Sequence, residues 1–284
     1  MLNLAIIFAL GSMTAGTLVD FIYRYAQSKG IVPTIFLFWQ SLMFIASLWA
    51  IGLSNGELAK IEVSGWIFGP PSGFLTYLSL ILFVKSLKSG HSSVNTPIFR
   101  LSFVVTAIGA ILFLGESINV TKILGIVFAI FSIVILGNLV NIDKFLKNKV
   151  SMNQVLMGMF AAGISGIIVK GLVDQGMDSF PIIMAQTPGF LFGSAGYTLL
   201  TRQWKPNKIT FQFAPITAFL QLAWTILIVE SLQYGDASVT FPIVHLSFVL
   251  TAILAIGILR EPPTIPKFVG LGLASLSVLA FTFL

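Results

Sequence analysis

Ten long apolar blocks, separated by short connections, account for nearly all of this chain of 284 residues. A helix needs about 20 apolar residues to cross a bilayer, and most of the blocks reach that length. They cover residues 4–25, 33–53, 66–84, 93–114, 120–139, 154–173, 181–200, 211–229, 239–259 and 265–284. We therefore predict ten transmembrane helices. We expect the first to be retained, because it lacks the basic leader of a cleaved signal peptide.

The charge content agrees with a membrane protein. Charged residues make up 9% of the chain and hydrophobic residues 56%, whereas soluble domains carry about 25% charged residues. So few charges exclude a soluble enzyme and a disordered protein. The net charge is +6, but the basic residues are spread between apolar blocks, so no nucleic-acid partner is expected. With no Cys and two His, no metal or cofactor is expected.

An internal repeat predicts the architecture. Residues 87–136 align with residues 232–281 at an offset of 145 without a gap, with 21 identities in 50 positions. The alignment divides the chain into a first half over 1–140, a basic linker over 141–153 and a second half over 154–284. Each half has five spans, and an odd number inverts the second half relative to the first. The predicted fold is an all-α polytopic membrane protein of ten transmembrane helices, arranged as two inverted five-helix repeats.

The fourth span of each half ends in a turn that contains Glu, with the sequences FLGESI at 113–118 and ILREPP at 258–263. With the ten spans and the repeat, these turns resemble the drug/metabolite transporter superfamily, specifically its EamA-type members. The resemblance implies a central cavity lined by the first, third and fourth spans of each half. It also implies that the fifth and tenth spans are scaffold helices or form a homodimer.

Inverted repeats are typical of secondary transporters, which bind cargo near the midplane and work by alternating access. We therefore predict transport of a small metabolite. A channel-like or lipid-handling membrane protein is the alternative. A membrane-embedded enzyme would need a polar catalytic constellation at one depth, and the sequence gives no sign of one.

Arg100 is the most informative polar residue. It lies about 12 Å into the fourth span at 1.5 Å per residue, where an Arg costs at least about 2.5 kcal/mol unless it faces water or an anion. The repeat places His245 at the same depth in the ninth span, entered from the other face. A guanidinium suits a carboxylate or phosphate, so the predicted cargo is an amino acid or organic anion held by both residues. Snorkelling or an internal ion pair for Arg100, and a structural hydrogen bond for His245, stay open.

Further substrate-binding candidates share faces with these two residues or lie on neighbouring spans. They are Thr96, Phe103, Phe241, Phe248, Tyr77, Gln221 and Trp224. Ordinary helix packing is the alternative for each of them. Pro97 and Pro242 recur in the repeat as candidate kinks or gates, with a fixed bend as the alternative. A separate stripe of small residues that includes Ser102 and Thr106 is interpreted as helix packing.

The acidic residues avoid the centres of the spans. Asp20 comes nearest, and an ion pair with Arg24 four residues later is the expected explanation. The first span has no carboxylate around Ser12–Thr14, which disfavours a cationic-drug/proton antiporter. Coupling through His245 or Asp20, exchange of solutes and facilitated movement all stay open. Glu116 and Glu261 lie beside turns and are predicted to be structural.

Basic residues predict the orientation. Connections on one side of the membrane carry twelve Lys and Arg, and those on the other side carry three. Since cytoplasmic loops are enriched in these residues, both termini are predicted to face outward. The expected location is the plasma (inner) membrane, with the lipid bilayer and a small-molecule substrate as partners.

Overall fold

The computed structural model describes residues 2–89, 92–136, 148–202, 205–257 and 265–283. These residues form twelve α-helices, one 3₁₀ turn and no strand. The helices are α1 Leu2–Ser28, α2 Pro33–Ser54, α3 Val63–Ser89, α4 Ser92–Arg100, α5 Ser102–Phe113, α6 Val120–Leu136, α7 Lys149–Asp174, α8 Ser179–Thr201, α9 Lys208–Tyr234, α10 Ala237–His245, α11 Ser247–Gly257 and α12 Ile265–Thr282. Because α4 with α5 and α10 with α11 each form one span, twelve helices give the ten predicted spans.

Six of the described helical segments are both long and apolar enough to cross a membrane. They are Leu4–Tyr23, Pro33–Ser54, Val63–Leu87, Asn95–Phe113, Lys149–Asp174 and Lys208–Tyr234. Three shorter apolar helices fall in the predicted fifth, ninth and tenth spans. Residues 141–147 of the predicted linker and Glu261 lie outside the described part of the chain.

The two halves of the chain are interleaved. Helix α3 packs against α7 and α8, and its repeat counterpart α9 packs against α1 and α2. The third span of each half thus lies against the first two spans of the other half. Glycines allow this approach: a Cβ at Gly73 would lie 1.8 Å from the Gln186 carbonyl oxygen, and one at Gly189 would lie 1.7 Å from that of Pro70. Small residues at such contacts are typical of helix pairs in membranes.

Helices α6 and α12 pack against each other through a pair of matching hydrogen bonds. The Ser132 hydroxyl donates to the Gly270 carbonyl at 2.7 Å, and the Ser277 hydroxyl donates to the Gly125 carbonyl at 2.7 Å. The two donors are 145 residues apart, and so are the two acceptors. The sequence repeat therefore corresponds to a local two-fold symmetry between the two helices. The fifth and tenth spans therefore use one face within the chain, and a homodimer through their other faces stays a prediction.

The fourth span is interrupted at Leu101, and the ninth at Leu246. The Leu101 amide donates to the carbonyls of Pro97 and Ile98, at 3.2 and 3.1 Å, and a single tight turn separates α4 from α5. Leu246 makes the equivalent turn between α10 and α11. Each break follows the repeated proline by four residues.

Candidate functional site

Arg100 is the last residue of α4, and its guanidinium forms an ion pair with Asp20 of α1. The Nη2 atom donates to Oδ2, and the two side chains are 16% and 32% exposed. The internal ion pair considered from the sequence is thus present. Arg100 is the partner that the structure shows for Asp20. The side chain of Arg24, the partner expected from the sequence, lies outside the described part of the chain. The position also suits a cation, since carbonyls at a helix C-terminus carry partial negative charge.

His245 occupies the equivalent end of α10, between two phenylalanine rings. Its ring centroid lies 6.0 Å from that of Phe103 and 6.5 Å from that of Phe241. The charge of Arg100 is close enough to act on His245 electrostatically. Its Nδ1 atom is buried and has no hydrogen-bond partner among the described residues. The structure therefore brings together four of the predicted site residues where the two broken spans meet.

The predicted aromatic residues form the apolar wall of this junction. Phe103 is fully buried, and Phe241 and Phe248 pack in the same cluster with Leu246. Thr96 is half-buried on α4, one turn before Arg100. Apolar walls around a few polar groups are typical of small-molecule sites.

Trp224 and Gln221 lie on α9, which packs against α1. A Cβ at Gly16 would lie 3.2 Å from the Trp224 Nε1 atom, and the Ser12 hydroxyl donates to the Trp224 carbonyl at 3.0 Å. Among the described residues, the buried Nε1 has no hydrogen-bond partner. A buried donor without a partner is rare and calls for an explanation such as a ligand. Gln221 is half-buried one turn earlier on α9.

Tyr77 has the contacts of a packing residue. It is buried, and its ring lies edge-on to Phe190 of α8 with centroids 5.5 Å apart. A Cβ at Gly193 would lie 2.5 Å from the Tyr77 ring. These contacts match the packing alternative raised from the sequence, and they place Tyr77 between α3 and α8.

The stripe of small residues on α5 also packs. The Thr106 hydroxyl donates to the Gly163 carbonyl of α7 at 3.1 Å. A Cβ at Gly166 would lie 2.8 Å from the Thr106 hydroxyl oxygen and 3.0 Å from the Phe241 ring. This stripe therefore joins α5 to α7, which fits its interpretation from the sequence.

A buried polar cluster joins α3, α7 and α8, and sequence reasoning did not predict that its members meet. The hydroxyl oxygens of Ser72 and Ser165 are 2.8 Å apart, as are those of Thr76 and Ser165. The Gln186 side chain donates to the Ser72 hydroxyl at 2.8 Å. Its members come from three spans far apart in the sequence, so no local pattern indicated that they would be in contact. Such hydrogen bonds join helices in a membrane.

Glu116 caps the start of α10. Its carboxylate accepts from the amides of Ala237 and Ser238, at 2.5 and 3.0 Å, and from the Ser238 hydroxyl. Beside it, the buried Lys122 ammonium lies 2.7 Å from the Asp236 carboxylate. Negative charge at a helix N-terminus is stabilising. Glu116 therefore has the structural role predicted for it, and it fixes the helix that carries His245.

Replacing Glu116 with alanine is expected to lower the free energy of unfolding by about 1–2 kcal/mol, the usual cost of losing an N-terminal cap. The measurement is unfolding of the purified protein in mixed micelles. Glu57→Ala is the control, since Glu57 pairs with Lys60 in an exposed ion pair and should cost less than about 0.5 kcal/mol. An equal loss of unfolding free energy in the two variants would contradict a capping role for Glu116.

Other candidate sites in the described residues are few. No cluster of three or more His, Cys, Asp or Glu that would suit a metal is found among them. A surface hollow of about 390 Å³ lies between residues 59–62 and residues 176–178. It contains none of the residues predicted from the sequence, and it lies in the connections and not at the broken spans.

Three comparisons bear on identity. Residues 3–138 and 152–283 match the model of the EamA-like transporter family. A Sinorhizobium protein named "Uncharacterized transporter in cobO 3'region" is 33% identical over 92 residues, which is 31% of this chain and 65% of that protein. The chain thus matches somewhat less than two thirds of that relative's length.

A solved structure, titled only "Crystal structure of protein", superposes with a TM-score of 0.77 at 13% identity. The superposition covers 100% of this chain and 98% of the other, and at that identity it speaks for the fold alone. The match to the family covers both repeats and nearly the whole chain. This multi-pass membrane protein belongs to the EamA-like transporter family.

Proposed function

We propose that the protein is a secondary transporter of the plasma (inner) membrane that moves a small metabolite with a carboxylate or phosphate group by alternating access. The observation that carries this proposal is the position of Arg100. Its guanidinium lies at the break between α4 and α5, beside Asp20 and near His245, within a largely apolar wall. Broken helices around a polar group at membrane depth are typical of transporter binding sites.

The ion pair defines how cargo would bind. A guanidinium has five N–H donors, so a cargo carboxylate can replace or join Asp20 at Arg100. An amino acid could also place its ammonium group against Asp20. The rings of Phe103, Phe241 and Phe248 would contact the apolar part of the cargo. Buried polar atoms without described partners, on His245 and Trp224, offer two further contacts.

Alternating access is supported by the local two-fold between α6 and α12 and by the interleaved halves. Two similar halves can exchange conformations, which opens the site to one face and then to the other. No cofactor, nucleic acid or catalytic group enters this proposal. A homodimer through the fifth and tenth spans is a further proposal, tested by the mass of the purified protein.

The test is transport by the purified protein in proteoliposomes. We expect saturable uptake and counterflow for at least one of pyruvate, succinate, L-phenylalanine and glucose 6-phosphate. Flux that rises linearly with concentration would favour a channel-like protein. Transfer of a fluorescent lipid between leaflets, without solute uptake, would favour lipid handling.

The orientation gives a separate prediction. The chain has no Cys, so a single Cys introduced at residue 2 reports the side of the N-terminus. We expect it to react with a membrane-impermeant maleimide in intact cells, and we expect a Cys at Lys205 to be protected. The reverse labelling pattern would overturn the orientation inferred from the Lys and Arg counts.

A further inference from the structure

We propose that Asp20 is the proton-binding site that couples transport, so that each monoanionic cargo crosses the membrane together with one proton. This inference rests on the proposed function and adds the coupling ion. Asp20 holds Arg100 while the site is empty. It takes up a proton when a carboxylate or phosphate replaces it at the guanidinium.

The location of Asp20 is unusual among the acids of this chain. It lies eight residues before the end of α1 and within the apolar span Leu4–Tyr23, three residues before the end of that span. Every other acid in the described residues lies in a connection or within five residues of a helix end. An acid within a membrane span is expensive and generally functional.

The repeat shows that the fold itself does not need this ion pair. When residues 8–11 (FALG) are aligned with residues 160–163 (FAAG), Asp20 matches Leu172, and Arg100 matches His245. Leu172 is buried in the apolar core. The second half therefore has no pair of charges at the matching positions, which is consistent with a functional role for the charged pair of the first half.

The number of protons carried with each cargo follows from the net charge of the site. The empty site is neutral, because one carboxylate faces one guanidinium. A monoanion bound at Arg100 beside an ionised Asp20 would leave one net negative charge at membrane depth, where charge is costly. A proton on Asp20 removes that charge, so the loaded site is also neutral. Both forms can then change conformation without moving charge through the bilayer.

The other titratable groups near Asp20 whose side chains are described do not change this balance. Arg100 faces it from α4, and His245 of α10 interacts with Arg100. Tyr23 follows on α1, but its ring packs against Phe36 of α2. On the other helices packed against α1, the described titratable groups lie near the two ends of α9: Lys208, Glu230 and Tyr234. The side chains of Arg24 and Lys267 are not described.

A zwitterionic cargo gives a different result. Its ammonium group would neutralise Asp20 directly, so an amino acid would cross without a proton. The same site therefore predicts coupling for pyruvate and none for L-phenylalanine. Comparing the two cargos separates coupling at Asp20 from a general effect of pH on the protein.

Formate binding tests the proton site without knowledge of the cargo. Formate is the smallest carboxylate and stays ionised between pH 6 and 8. Its affinity for the purified protein, measured from the thermal stabilisation that it causes, is expected to rise by up to about tenfold per unit fall in pH, because one proton is taken up with each anion. Asp20→Asn should remove this pH dependence, and Arg100→Gln should remove binding.

Glu230→Gln is the matched control, since Glu230 is another acid within a spanning helix and accepts from the Ser179 hydroxyl at 2.5 Å. We expect it to keep the pH dependence of the wild type. Absence of formate binding, a wild-type affinity that does not change with pH, or a pH dependence that survives in Asp20→Asn would overturn the proposal.

Transport by the wild type separates this proposal from the proposed function. We expect a pH gradient to drive accumulation of pyruvate in proteoliposomes and to leave that of L-phenylalanine unchanged. Saturable counterflow of pyruvate that a pH gradient cannot drive would overturn coupling alone. Formate binding with the expected pH dependence, but no saturable transport of any tested solute, would overturn the proposed function.

Discussion

Arg100→Gln is expected to lower cargo affinity and uptake by about tenfold to a hundredfold. Hydrogen bonds to a charged group contribute about 1.5–3 kcal/mol each, and glutamine can replace neither the charge nor the paired N–H donors of the guanidinium. The substitution also leaves Asp20 without its partner at membrane depth. The measurement is the concentration dependence of uptake in proteoliposomes.

Matched variants make this result specific. Arg100→Lys keeps the charge but loses the bidentate hydrogen-bonding geometry of the guanidinium, so an intermediate loss of uptake is expected. Lys205→Gln removes an exposed base in the connection between α8 and α9, and it should transport normally. His245→Ala should cause a smaller loss than Arg100→Gln. Normal uptake by both Arg100→Gln and His245→Ala would overturn the assignment of the site.

Gly189→Ala is expected to cause the largest loss of stability of any single methyl addition considered. The new Cβ would lie 1.7 Å from the carbonyl oxygen of Pro70, a backbone atom of α3. The two helices must separate to accommodate it, and overpacking of this kind costs about 3 kcal/mol. Unfolding in mixed micelles measures the free energy, and the yield of folded protein should fall with it.

Gly196→Ala in the same helix is the control. Among the described residues, a Cβ at Gly196 would meet no atom within 4 Å beyond its own stretch of helix. Alanine is also the better helix former by about 1 kcal/mol. The control should therefore be neutral or slightly more stable than the wild type. Equal stability of the two variants would show that α3 and α8 do not approach as closely as the structure indicates.

The spans and the repeat could be predicted because they depend on local composition and on similarity along the chain. The repeat alignment was enough to pair Arg100 with His245, and both lie at the equivalent ends of α4 and α10. The alignment also identified Pro97 and Pro242 as candidate kinks or gates. The break itself lies at Leu101, one turn further on, whereas the missing proline amide frees the carbonyl four residues earlier.

The side-chain partners could not be predicted, since they depend on which spans are neighbours. The expected partner of Asp20 was Arg24, four residues away on the same helix, and the partner that the structure shows is Arg100 of another span. Tyr77 looked like a cavity residue, yet its contacts are with α8. No local sequence pattern indicated that Ser72 and Ser165 would be in contact.

The sequence by itself determined a membrane protein of ten spans in two repeats, because hydropathy and duplication are properties of the chain. It also determined that a cation would lie deep in the fourth span. Only the tertiary structure decided that this cation faces a carboxylate of the first span, since helix packing brings distant residues together. That contact changes the expected chemistry of the site from an isolated positive charge to an ion pair.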